Sequence, residues 1–472
     1  MNLNYSSVEL FQSNNSYYAY DIEKVYVWLI NEEIFNAIQF IKQNQKFPQN
    51  INPEVSMSIL KKIRNGLFFS GTEPTRPPRK VKIDTLIVSF PLVHECNLRC
   101  KYCFASSGDV YEGQERVFNN TTIDYIIKFI TVNFEDVKQI RLEFVSGGEP
   151  LLLHDLFFSL ITHFKSELEL RGYSVDIFLL TNGTKLNESI LDKLIKLDVA
   201  LAVSIDGARG IHDFNRPFKD GKGSYNQVLK SVSYLQTHPH FINNFWIVSV
   251  ITAKTPSLEL ILNHNKSLGV KSMEMRLMRG REPADLALNN HNLIHFIKLY
   301  DDFAKYLKSN PDEVVYILNE FDTFGKLIKR LLLNKGVPCR CTAGVGKFSF
   351  TADGEIYPCD SFVGKQNFVL GNIFDNSWNK NVSSEFEALN FLSEKPMCPC
   401  DECPIRYVCG SDCHYNSYVN NGSVWKKKSV FCEFQKHLFL LAIDLIQNIK
   451  NINETKYNYL IRLAKMQNLL SR

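Results

Sequence analysis

A chain of 472 residues is long enough for two or three domains, and its 45% hydrophobic content can fill their cores. Its 54 basic and 50 acidic side chains leave a formal charge of +4, a balance that argues against nucleic acid as the main partner. Residues 1–21 lack the basic and apolar regions of a secretory signal, and no stretch of about 18 apolar residues predicts a membrane span, so a cytoplasmic protein without membrane contact is expected.

In chain order, β-like segments at Val8–Gln12, Tyr17–Asp21 and Val25–Ile30 precede helix-like runs at Glu32–Gln43 and Pro53–Asn65. A proline-rich linker at 71–78 closes this N-terminal unit, residues 1–78. From 84 to 310, strand-like runs at 85–90, 141–145, 175–180, 199–205, 245–251 and 270–277 alternate with amphipathic stretches. Six such units predict an α/β fold with a parallel sheet curled into a partial (β/α)6 TIM-like barrel, open on one side. A connecting helix is expected over 311–336, a cysteine-rich domain over 337–435 and C-terminal helices over 436–472.

The twelve cysteines carry the chemistry. Without a secretory signal they read as metal ligands rather than disulfides. Cys96, Cys100 and Cys103 have the spacing C-x3-C-x2-C and follow the apolar run Leu86–Phe90, on the loop at a strand's C-terminal end, where β/α barrels place their active sites. Three thiolates on a four-iron cubane leave one iron without a protein ligand, a vacancy for chemistry. A structural zinc would want a closed set of four ligands. The strand 141–145 ends in Gly147-Gly148-Glu149-Pro150, where two glycines let a ligand approach the backbone closely.

From Cys96-Asn97-Leu98-Arg99-Cys100-Lys101-Tyr102-Cys103 through Gly147-Gly148-Glu149-Pro150 to Ser204-Ile205-Asp206-Gly207, the motifs resemble the radical S-adenosylmethionine (SAM) superfamily. Within it, the chain is most similar to the branch with a cysteine-rich SPASM extension, and in that branch to maturases of cysteine-rich ribosomally synthesised peptides. The resemblance implies a [4Fe-4S] cluster on Cys96, Cys100 and Cys103 that binds SAM. It places Tyr102 beside the adenine, where a core aromatic would look the same, and Gly147, Gly148, Glu149, Pro150, Asn182, Ser204 and Asp206 around the cofactor. Read on their own, Asn182 and Ser204 equally suit ordinary turns. Arg216, in the stretch His212–Phe218, is expected to meet a carboxylate or form a surface salt bridge.

The resemblance also implies two auxiliary [4Fe-4S] clusters in the SPASM domain, one on Cys339, Cys341, Cys359 and Cys413 and one on Cys400, Cys403, Cys409 and Cys432, with Cys398 left over. The Cys339–Cys341 pair is tighter than the sulfatase-maturase pattern; if only one of the two binds, the first auxiliary cluster has an open iron that could hold a substrate thiolate. Asp360 stands where sulfatase maturases place a catalytic base, or is a solvated acid. The N-terminal unit resembles the winged-helix element with which peptide maturases hold a leader sequence as an added strand; a capping hairpin is the plainer reading.

The function implied is a 5′-deoxyadenosyl radical enzyme that installs thioether crosslinks in a short precursor peptide bearing a leader. An electron donor such as flavodoxin or ferredoxin and an oxygen-poor environment go with it. The alternatives are a formylglycine-generating sulfatase maturase, a carbon–carbon crosslinking or epimerising maturase, and a non-enzymatic iron–sulfur carrier or peptide scaffold.

Overall fold

The structure, a computed structural model, describes residues 5–470 except 14, 70–82, 106–116, 239, 242–244, 271, 279, 281, 338, 340, 376, 379, 391–399 and 428. The linker 71–78 and Cys398 lie outside the described residues. No helix among the described residues is long and apolar enough to cross a membrane.

The N-terminal unit is an antiparallel sheet of β1 (Val8–Ser13), β2 (Ser16–Asp21) and β3 (Tyr26–Ile30), followed by helices Glu32–Asn44 and Pro53–Arg64. Asn31 and Asn52 cap those helices by accepting from the backbone N–H of Ile34 and Glu54. Ala37, Ile38, Ile41, Val55, Ile59 and Ile63 form the apolar faces that close a small core of their own. Phe11 and Tyr20 pack on Phe439 of the C-terminal helix Val430–Ile452, which ties this unit to the rest of the chain.

Six parallel strands follow in sequential order: β4 (Thr85–Ser89), β5 (Gln139–Phe144), β6 (Ser174–Thr181), β7 (Val199–Ser204), β8 (Phe245–Ile251) and β9 (Met273–Leu277). They are the six strands read from the sequence, and their order makes the partial barrel. Along β5, Ile140, Leu142 and Phe144 are buried while Gln139, Arg141 and Glu143 alternate with them. Arg141 and Glu143, with Asp176, Phe178, Trp246, Glu274 and Arg276 of later strands, line a cavity of about 310 Å³. The barrel interior therefore carries charged side chains at this level, beside Phe178 and Trp246 stacked at 4.9 Å between ring centres.

The sheet does not end at β4. β10 (Lys347–Phe350), from the cysteine-rich domain, pairs parallel with β4, and β11 (Glu355–Tyr357), β12 (Gly371–Asn372) and β13 (Ser377–Trp378) extend it antiparallel to ten strands. The sequence reading kept that domain apart. Residues 311–336 are also not one helix: a 3-10 segment, Pro311–Tyr316, precedes a helix at Gly325–Leu333. Asp322 interrupts them, its carboxylate accepting from the backbone N–H of Met275, Phe324 and Gly325. Helix Val430–Ile452 packs on helices Leu293–Ser309 and Gly325–Leu333.

Candidate active site

The loop that leaves β4 carries Cys96, Cys100 and Cys103, and two neighbouring segments hold its backbone. On one side Gly148 N–H donates to the Val93 carbonyl at 2.5 Å and Glu149 N–H to the Glu95 carbonyl at 2.9 Å. The space beside both glycines is filled by this loop: a Cβ on Gly148 would meet the Glu95 carbonyl oxygen, and one on Gly147, which has φ +94°, would meet that of Val93. On the other side Arg99 N–H donates to Pro217, Lys101 N–H to Asn215, and Lys219 N–H to Asn97. Residues 215–219, which overlap the stretch His212–Phe218, are thus the strap that aligns residues 97–101.

Glu149 turns inward and is 2% exposed. Its carboxylate accepts from Thr181 Oγ1 and the Asn182 N–H, both at 2.7 Å, and from the Leu151 N–H at 3.2 Å. Burial raises its pKa, and these three donors oppose the rise. Asn182 donates to Asn97 Oδ1 at 2.9 Å and lies 3.7 Å from Cys96 Sγ. Pro150 is buried in the first turn after Glu149, and Ser204 is buried at the end of β7.

Tyr102 and Asp206 meet below the loop. The Tyr102 hydroxyl donates to Asp206 Oδ2 at 2.7 Å and accepts from Arg216 Nη1 at 2.5 Å. Arg216 is 7% exposed, so it is no surface salt bridge; it reaches a carboxylate through the phenol. Asp206 also accepts from Asn215 Nδ2 and the Val250 N–H. Burial raises the Asp206 pKa and the Arg216 charge counters it. The Tyr102 ring packs with Cys100, Met278, Leu286 and Ala287. His212 accepts from the Asp206 N–H and contacts Ser224 Oγ at 3.0 Å, whose hydroxyl donates to the Arg216 carbonyl. Burial, with Arg216 second, depresses the His212 pKa to about 3, so the ring is a neutral spacer.

The described cysteines gather in three sets. Cys100 lies within electrostatic reach of Cys96 and Cys103. Cys341 lies within electrostatic reach of Cys413 and Cys339, and Cys359 within that of Cys341 and Cys413. Cys400 lies within electrostatic reach of Cys409, Cys432 and Cys403. Cys432 stands in the first turn of helix Val430–Ile452. Among the described residues no three or more His, Cys, Asp or Glu close around a point as one metal ion requires. One set of three and two of four soft sulfur donors fit cubane clusters. Burial pushes the thiols of Cys100, Cys341 and Cys400 up to about 12 and that of Cys432 to about 11, so iron binding must displace their protons.

Asp360 is 3% exposed, which excludes a solvated acid. Its Oδ1 lies 3.0 Å from Lys347 Nζ, and that ammonium lies 3.1 Å from Glu143 Oε2 in the barrel. Burial works against the Lys347 charge, but Asp360 and Glu143 outweigh it and raise the pKa. The sequence reading missed Lys347 and Glu143. Their one signal was a charged residue at an inward strand position.

Comparison with known proteins bears on the family and the fold. The radical SAM superfamily profile matches residues 90–250, and that of SPASM, an iron–sulfur cluster-binding domain, matches 341–404. The cysteine-type anaerobic sulfatase-maturating enzyme of Clostridium novyi (strain NT) is 26% identical over 366 residues, covering 74% of this chain and 92% of that one. The antilisterial bacteriocin subtilosin biosynthesis protein AlbA of Bacillus subtilis (strain 168) is 23% identical over 363 residues, covering 75% of this chain and 71% of that one. The structure of anSMEcpe with bound AdoMet shares the fold, with a TM-score of 0.64 at 22% identity over 78% of this chain and 99% of that one. Residues 90–250 therefore belong to the radical SAM superfamily and residues 341–404 to the SPASM iron–sulfur family, and the chain is a radical SAM enzyme with an added iron–sulfur domain.

Proposed function

We propose that this enzyme matures a short cysteine-rich precursor peptide by closing thioether crosslinks. When bound, the SAM-linked cluster supplies a 5′-deoxyadenosyl radical and the SPASM clusters an electron sink. The observation that carries the reading is β10. By pairing with β4, whose loop holds Cys96, Cys100 and Cys103, it brings the Cys341–Cys359 set to the barrel edge. Thioether closure needs such a sink near the reacting carbon.

The chain's own residues supply placement. Gly147, Gly148 and the 215–219 strap fix the cluster loop, while Asn182, Ser204, Asp206 and Tyr102 form the inner wall for SAM. Residues 1–78 serve as the leader-recognition domain: β3 pairs only with β2 among the described residues, so its outer edge suits an added strand. Electrons come from a donor such as flavodoxin or ferredoxin in an oxygen-poor cytoplasm.

Two features favour a second reading, formylglycine formation: a relative's sulfatase-maturating name, and this chain's Cys359–Asp360 step, like that of sulfatase maturases. The Lys347 ammonium on Asp360 weakens it, because a carboxylate paired with a buried cation is a poorer base. Mass spectrometry of the co-expressed peptide decides. Loss of two hydrogens per ring with cysteines protected from alkylation is expected, and freely alkylated, unmodified cysteines would reject thioether chemistry.

A further inference from the structure

Lys427 is fully buried, and the radical chemistry above gives it no part. Burying an ammonium is costly unless it is hydrogen-bonded and offset by negative charge; burial lowers the Lys427 pKa, and Asp412 opposes the fall. The Lys427 Nζ lies 2.9 Å from His414 Nδ1 and 3.5 Å from the Asp412 carbonyl. His414 is 1% exposed, its ring set edge-on to Phe386, and its Nε2 lies 3.9 Å from Cys339 Sγ. An ammonium only donates, so Nδ1 must accept, and the single imidazole proton sits on Nε2, aimed at that sulfur. Cys339 as a thiol donates to the Cys341 carbonyl at 3.3 Å. Once deprotonated it gives up that contact and becomes an acceptor, and His414 is in place to meet it.

We propose that Lys427 and His414 form a hydrogen-bond relay ending on the Cys339 sulfur, which raises the reduction potential of the first SPASM cluster and makes it the better electron acceptor of the two. The inference rests on Cys339, Cys341, Cys359 and Cys413 holding one cluster. Hydrogen bonds to cluster sulfurs stabilise the reduced form, whose added electron resides on the iron–sulfur core. Lys427 reinforces the effect, since Cys339, Cys413 and Cys341 all lie within its electrostatic reach. The side-chain relay runs to one cluster: the Cys432 sulfur meets the Lys427 backbone carbonyl, at 3.0 Å, rather than its ammonium, and Ser411 Oγ lies 3.9 Å from Cys400 Sγ. No cysteine spacing points to Lys427, because it stands between the last two cysteines without belonging to either motif.

The test uses the full chain with Cys96, Cys100 and Cys103 replaced by Ala, reconstituted anaerobically and titrated potentiometrically with EPR detection. Lys427→Met and His414→Phe are expected to keep the iron content and move one of two midpoints to more negative potential. His414→Gln, which retains a donor, should stay near the parent. Unmoved midpoints at full iron content would overturn the proposal. If His414→Phe sheds iron, Lys427→Met decides in the same way; loss of iron from both would make the pair structural and also overturn it. Cys359→Ala in the same background reports on the premise: undiminished iron there would overturn the ligand set rather than the relay.

Discussion

A methyl group on Gly148 would stand 1.9 Å from the carbonyl oxygen of Glu95. Two strands' loops meet at that point, and the Glu149 N–H bonds to the same oxygen. Gly148→Ala must therefore push the cluster loop outward, at a cost of about 1–3 kcal/mol or more. It is expected to cut 5′-deoxyadenosine formation at least tenfold. Gly210→Ala, where nothing stands within 4 Å, is the control. A Gly148→Ala enzyme that cleaves SAM at the parent rate would show that the loop does not depend on this contact.

The Tyr102 hydroxyl is the only atom through which the guanidinium of Arg216 and the carboxylate of Asp206 are bonded among the contacts described. Tyr102→Phe leaves both buried charges without it, at about 1–3 kcal/mol for an unmet buried group. Urea denaturation should show that loss, and SAM affinity should fall with it. An unchanged denaturation midpoint would mean that water replaces the hydroxyl.

The eight SPASM ligands proposed here already fill two sets of four, so Cys398→Ala should keep the iron content of the parent. Cys359→Ala and Cys413→Ala should lose about four irons, one cubane, and impair product formation more than SAM cleavage. Iron analysis after anaerobic reconstitution checks this. A loss of one cubane in Cys398→Ala would make it a ligand and Cys339 the spare.

The cluster cysteines were legible because cubane chemistry demands a local spacing, and Cys96, Cys100 and Cys103 satisfy it within eight residues. The six barrel strands were legible because each alternates or runs apolar over five residues or more. β10 was not: its four residues, Lys347–Phe350, carry too little pattern, and their partner β4 is far away in sequence. For the same reason Lys347, Glu143 and Asp360 looked unrelated. The glycines of 147–148 were read as room for a ligand, a purpose that spacing cannot distinguish from the close approach of the chain's own loop at Glu95.

His212 is expected to make the barrel acid-sensitive. Its folded pKa of about 3 lies below the unfolded value of about 6.5, so the unfolded chain binds the extra proton. Its contribution is complete above pH of about 6.5 and is lost on acidification toward 3, at up to about 1.4 kcal/mol per pH unit. Urea denaturation at several pH values should show a steeper acid loss for the parent than for His212→Gln, which does not titrate. Equal slopes would place the His212 ring in contact with water.

Asp360 separates the two chemical readings. As a general base it would contribute about 10²–10⁴ in rate; as the ion-pair partner of Lys347 it contributes placement only. Asp360→Asn keeps a polar group beside Lys347, whose charge retains Glu143, so product formation should fall by less than about tenfold, far below the contribution of a base. Lys347→Met is the harsher change. It strips Glu143 and Asp360 of their common cation, and breaking a buried pair in this way costs about 3–5 kcal/mol. Thermal and urea denaturation should therefore rank Lys347→Met well below Asp360→Asn, with SAM cleavage intact in the latter. If Asp360→Asn instead cleaves SAM normally and loses product by a hundredfold or more, Asp360 takes the proton of the reacting residue, and formylglycine chemistry replaces thioether closure as the better account.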